Sequence, residues 1–297
     1  MGYSSYSSLL RSERSSTGGT YTTSAGVKSF AAFDSASINQ TFDSHFINAK
    51  MSPFNLGVRT SRDSEAHPNS LAIIIALDVT GSMGRVPHYL VKNGLPTIVQ
   101  SLINAGIKDP QILFIAIGDH ECDTSPLQIG QFESGDAEMD YWLTSVFLEG
   151  GGGGNNGESY MLAWYAAAHH TAIDCFEKRG QKGFLFTIGD EPVLQGLPKH
   201  VLKKIIGEGQ FADVTSVQLK EEAEKMYNVF HINIGETSSG GRQSVKDGWK
   251  QMFADNLLLA DRKEEVADII IKAILTNVSI PNKLDKSTYE PIEEVAL

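Results

Sequence analysis

Only two cysteines, Cys122 and Cys175, occur in the 297 residues, and neither sits in a metal-type pair. A structural zinc or a disulfide framework is therefore not expected, and the thiol count suits a reducing compartment. Net positive charge is missing as well. The balance is −11, which argues against binding to phosphate backbones as a main activity. No apolar run approaches the ~18 residues that a membrane helix needs. Near the N-terminus, Leu9-Leu10 is the longest apolar pair, too little for the core of a secretion signal. Tyr6 stands where a myristoylation signal wants a hydroxyl residue. The expectation is a cytoplasmic protein that engages neither nucleic acid nor membrane.

What is present divides the chain in three. Residues 1–66 are dominated by Ser, Thr, Gly and Tyr, with no persistent period, and so bury too little apolar area to offset their ordering entropy. They are expected to form an irregular N-terminal extension, partly laid against the domain or a partner. Phe30, Phe33, Phe42, Phe46 and Phe54 are more aromatics than a spacer requires. Hydrophobic residues make up 41% of the chain, enough for a substantial core over residues 67–280. Residues 281–297 are polar and read as a short tail.

Within 67–280, buried-strand runs alternate with helical stretches. Leu71-Ala72-Ile73-Ile74-Ile75-Ala76-Leu77-Asp78 is short, nearly unbroken and rich in β-branched residues, as a strand covered on both faces should be. Similar runs lie at 112–117, 183–188 and 229–234, and the alternation over 127–132 suggests an edge strand. Helices are expected near 87–105, 136–148, 158–175, 197–206 and 216–227. The last helix has Val266, Ile269, Ile270, Ala273 and Ile274 at core spacing. The fold class that follows is α/β: a Rossmann-like, doubly wound, mostly parallel central sheet with one antiparallel edge strand and helices on both faces.

Oxygen-rich loops follow three of these strands. The first holds Asp78, Thr80 and Ser82. The second is the run Gly150 to Gly154 with Asn155, Asn156, Glu158 and Ser159; the third is Asp190-Glu191. Loops after neighbouring parallel strands meet at one sheet edge, where ligands bind. Hard oxygen donors gathered there suit Mg²⁺, with Mn²⁺ or Ca²⁺ as alternatives.

Asp78-Val79-Thr80-Gly81-Ser82 resembles the Asp-x-Ser/Thr-x-Ser motif of von Willebrand factor A (vWA) domains of the intracellular bacterial or phage type. Their metal-ion-dependent adhesion site (MIDAS) binds Mg²⁺. The order of strands, helices, glycine loop and strand ending in Asp190 is also similar to that family. The resemblance implies that the Thr80 and Ser82 hydroxyls ligate the metal directly, while Asp78 and Asp190 hold metal-bound waters. The family usually adds a threonine from the second loop; here that loop offers Asn155, Asn156 and Ser159 instead. Gly81, Glu158, Glu191, Asp119 and His120 are expected on the rim. The implied function is a non-enzymatic adaptor or scaffold module that captures an Asp or Glu of a partner protein, with AAA+ ATPase assemblies among the implied partners.

Two other readings stand beside it. A phosphotransfer enzyme of the haloacid-dehalogenase type would also place an aspartate after an apolar strand. It needs a second acid two residues later, where Thr80 stands, and Lys182 lies at the wrong sheet edge to serve it. There is also no phosphate loop and no Ser–His nucleophile pair. A structural component of a phage particle is the other reading. The cluster Asp119-His120-Glu121-Cys122-Asp123 matches no zinc spacing and is expected to line the rim. Trp164 and Tyr165 are expected in the core, with His169 and His170 in packing or surface positions.

Overall fold

The run Leu71–Asp78 folds as an eight-residue strand, β1, in which every residue is buried. Its side chains alternate between two cores. Ile73, Ile75 and Leu77 pack with Leu90, Ile98, Leu102, Ile270 and Ile274 on one face. Ala72, Ile74 and Ala76 pack with Trp164, Ala166, Leu219 and Phe253 on the other. Period-two alternation with apolar residues on both faces is what a strand sandwiched between helices requires. The computed structural model describes residues 20–23, 26–29 and 47–278, apart from Thr124, residues 148–154 and Asn156. Phe30, Phe33, Phe42 and Phe46, the Gly150–Gly154 run, Asn156 and the 281–297 tail therefore lie outside the described residues.

β2 (Pro110–Ile117), β3 (Leu127–Ile129), β4 (Gly183–Gly189), β5 (Tyr227–Ile234) and β6 (Leu257–Ala260) complete the central sheet. Its order is β6-β5-β4-β1-β2-β3. All pairings are parallel except β2 with β3, so the mixed α/β class and the antiparallel edge strand stand as expected. The chain runs from β1 outward to β2 and β3, then returns to place β4 on the other side of β1. That reversal opens a crevice at the carboxyl ends of β1 and β4. Leu77 pairs with Ile188, which sets Asp78 and Asp190 on either side of it.

The helix expected over 158–175 is shorter. It spans Met161–His169, and Thr171–Ile173 then pairs in parallel with Arg59–Ser61. Two β-branched residues favour extension there, and the Thr171 hydroxyl bonds back to the Ala167 carbonyl at 2.6 Å. The helix near 136–148 ends at Ser145. Helix Gln243–Phe253 and strand β6 carry no expectation from the sequence. The first is largely polar, with buried Val245, Trp249 and Phe253; the second is a four-residue edge strand.

The N-terminal segment has more structure than its composition suggests. Thr20–Thr23 and Gly26–Ser29 form an antiparallel pair. Further on, Met51 is fully buried and Leu56 nearly so, and the Ser61 hydroxyl donates to Gln111 at 2.7 Å. Phe54 remains exposed. Among the described residues, no helix is long and apolar enough to cross a membrane.

Candidate metal centre

Asp78 ends β1 with its carboxylate turned into the crevice and no exposure. The chain folds back on it at once. Thr80 donates to Asp78 Oδ1 from its backbone N–H at 2.9 Å and from its hydroxyl at 2.6 Å. Gly81–Met83 forms a 3-10 turn that brings Ser82 Oγ to 3.2 Å from Thr80 Oγ1. Ser82 in turn donates to Asp190 Oδ1 at 2.7 Å, across from β4. Four residues that the sequence places at two distant points thus form one continuous chain of oxygens.

Tyr160 anchors this chain from below. Its hydroxyl donates to Asp78 Oδ2 at 2.7 Å and accepts from the Asp190 backbone N–H at 3.1 Å. A Cβ on Gly189 would stand 1.9 Å from that hydroxyl, so only glycine lets the ring reach its place. The Tyr160 ring meets His231 and Trp249 edge-on, and Trp249 Nε1 donates to the Glu191 carbonyl at 3.0 Å. Sequence reasoning missed Tyr160. Its signal is a polar-tipped aromatic just before an apolar, alanine-rich helix.

The glycine-run residues divide. Asn155 Nδ2 donates to Asp119 Oδ2 at 2.7 Å and to Glu121 Oε2 at 2.8 Å. Ser159 Oγ accepts from the His120 backbone N–H at 2.9 Å and lies 2.7 Å from His120 Nδ1. Both hydrogen-bond to the Asp119–His120 loop. Glu158, expected on the rim, is instead buried against the Thr80 hydroxyl, and its Oε2 has no hydrogen-bond partner. Glu191 accepts from Arg242 at 2.9 Å and from the Ser239 hydroxyl. Gly81 stays half-exposed at the mouth. Cys122 is exposed and gains no reactivity from its surroundings: a hydrogen bond to Asp119, some desolvation and the neighbouring carboxylates push its thiol up to about 11.

The electrostatics are those of carboxylates short of a counter-charge. Burial, then the neighbouring Asp190, pushes Asp78 up to about 7 against the pull of Thr80 and Tyr160. Burial, then Asp78, raises Glu158 far above the carboxylate range. Among the described residues no Lys or Arg pairs with Asp78, Asp190 or Glu158. A hard dication fits this donor set, because it would offset the buried charge and give the orphaned Glu158 oxygen a partner. Among the described residues, no three His, Cys, Asp or Glu side chains form a metal cluster by themselves. The hydroxyls of Thr80 and Ser82 lie between the carboxylates, as an arrangement with directly bound hydroxyls and water-bridged aspartates would need.

No protein-family model matches the chain, and no curated protein sequence matches it. Among solved structures it is similar to the pilus adhesin SpaC from Lactobacillus rhamnosus GG in its open conformation. The TM-score is 0.48 at 11% identity, over 75% of this chain and 31% of that one. It is also similar to proximal thread matrix protein 1 from the mussel byssus, solved with a zinc-occupied MIDAS motif. There the TM-score is 0.42 at 14% identity, over 70% of this chain and 48% of the other. The chain thus spans less than half the length of each of these proteins.

Proposed function

We propose that this chain is a vWA-like, metal-dependent protein-binding module rather than an enzyme. In this reading the Thr80 and Ser82 hydroxyls ligate a divalent cation, Mg²⁺ first among the candidates. Asp78 and Asp190 hold its waters and balance its charge. The observation that carries the reading is the unbroken Asp78–Thr80–Ser82–Asp190 oxygen chain at the switch point of a parallel sheet, with no basic side chain paired to its carboxylates among the described residues. A bound cation with an open position would accept a carboxylate of a partner protein, a charge-assisted contact. Beside Ser82 lies a groove of about 280 Å³, lined in part by Arg85, Ser238 and the ion-paired Lys263 and Glu236. Arg85 is exposed there and forms no ion pair among the described residues, which favours an acidic partner. An adaptor role in the cytoplasm, with an AAA+ assembly among the candidate partners, belongs to the same proposal.

The experiment is a pull-down on immobilised full-length chain with and without EDTA, repeated with Thr80→Ala. Capture should need the ion and should fall in the variant, because one direct ligand is lost while strand and turn persist. Capture at full strength from Thr80→Ala in EDTA would place recognition elsewhere.

A further inference from the structure

We infer that Glu158 is the residue through which the glycine-run loop ligates the divalent cation, so that the ion is held in the partner-free chain. This inference rests on the metal-site reading above. The vWA resemblance leaves a place open in that loop, since the usual threonine is missing and the sequence offers Asn155, Asn156 and Ser159 for it. In the structure, the Asn155 side chain is held at the Asp119 and Glu121 carboxylates, to both of which its Nδ2 donates, and it makes no hydrogen bond to Asp78, Thr80, Ser82 or Asp190 among the described residues. The Ser159 hydroxyl is taken by His120. Glu158 is the described member of the loop that faces Thr80.

Three features hold it there. Its backbone N–H donates to the Pro192 carbonyl at 2.8 Å, and its carbonyl accepts from Leu194 N–H at 3.1 Å, in a parallel bridge to Val193. The loop carrying Glu158 is thereby fastened to the loop carrying Asp190. A Cβ on Gly157 would stand 2.9 Å from Leu194 Cδ2 and 3.0 Å from the Pro192 carbonyl, so a glycine is needed just before the acid. The side chain is only 6% exposed, yet Oε2 has no partner. A buried polar atom without a partner is costly and calls for an explanation. Among the described residues no basic group supplies one, whereas a hard cation beside the Thr80 and Ser82 hydroxyls would.

The test is calorimetric titration of the full chain with Mn²⁺ and Mg²⁺, alongside thermal midpoints in EDTA. Glu158→Gln should lower metal affinity by at least the roughly 10- to 100-fold that loss of a supporting group costs. Its midpoint in EDTA should match the parent's, since the amide replaces a carboxyl that burial keeps protonated in the metal-free chain. Glu158→Asp, which keeps the carboxylate but shortens its reach, should fall between. Asn155→Ala and Ser159→Ala should bind within about threefold of the parent, well below that ligand-loss range. Unchanged affinity in Glu158→Gln, with affinity lost in Thr80→Ala, would overturn the Glu158 assignment and leave the metal site standing. Loss confined to Asn155→Ala or Ser159→Ala would overturn it too. If the parent chain binds neither ion, the metal site itself fails, and Glu158 with it.

Discussion

Asp78→Asn offers the most discriminating perturbation of the metal-free protein. The folded chain holds the Asp78 carboxyl up to about 7 against an ordinary 3.8, first by burial and then by Asp190. Between those values the folded state keeps a proton that the unfolded chain has released. Stability contributed by Asp78 is therefore full below about pH 4 and is lost as pH rises toward 7, by an amount on the order of 4 kcal/mol. For a domain of this size that corresponds to roughly 10 °C in thermal midpoint. His231, His120 and His170 act in the opposite sense: burial depresses each of them, so they add stability as pH rises through about 6.5. The raw pH profile mixes both effects, and the useful quantity is the difference between variant and parent. Placing an amide opposite Tyr160 shifts the whole variant curve by a constant and leaves its slope alone. Thermal melts in EDTA from pH 4 to pH 8 should show Asp78→Asn gaining on the parent steadily up to about pH 7 and then levelling off. Curves that stay parallel across that range would refute the electrostatic account of the site.

Mg²⁺ or Mn²⁺ should stabilise the parent chain by about 2.7 kcal/mol at a hundredfold excess over Kd, read as a raised thermal midpoint, and Asp78→Ala should abolish that response in scanning fluorimetry. No metal-dependent turnover of a generic phosphomonoester is expected, because Thr80 occupies the place of the second acid such chemistry needs; turnover that disappears in Asp78→Asn would restore the phosphotransferase reading. Removing residues 1–46 should leave metal affinity unchanged, since every proposed ligand lies beyond them, whereas removal through residue 60 should cost several kcal/mol of stability, since deleting the buried Met51 side chain alone is worth about 2–5 kcal/mol; calorimetric titration of the first truncation and chemical denaturation of the second check the two outcomes. Gly189→Ala should lower the midpoint and weaken metal binding together, because its Cβ would collide with the Tyr160 hydroxyl that holds Asp78.

Much of this protein is legible from short stretches of its sequence. The unbroken apolar runs of β1, β2, β4 and β5 need helices on both faces, and strand–helix alternation then leaves a parallel sheet as the natural solution. Asp78, Thr80 and Ser82 are brought together by one strand end and one turn, and their alternate spacing in the chain already carries that geometry. Asp190 could be placed beside them because loops after neighbouring parallel strands share an edge. The glycine-run loop was a different matter. Asn155, Glu158 and Ser159 all carry oxygen within five positions, and no periodic element fixes which of them turns inward. That choice came from contacts remote in sequence: the bridge from Glu158 to Val193, His120 on Ser159, and Asp119 on Asn155. Tyr160 shows the same limit, since its reach to Asp78 depends on the missing side chain of Gly189, a strand away. Periodicity and strand ends depend on residues near in sequence, and so the sequence determined the fold class and one half of the site. The other half depends on how separate loops pack against one another, which only the tertiary structure decided.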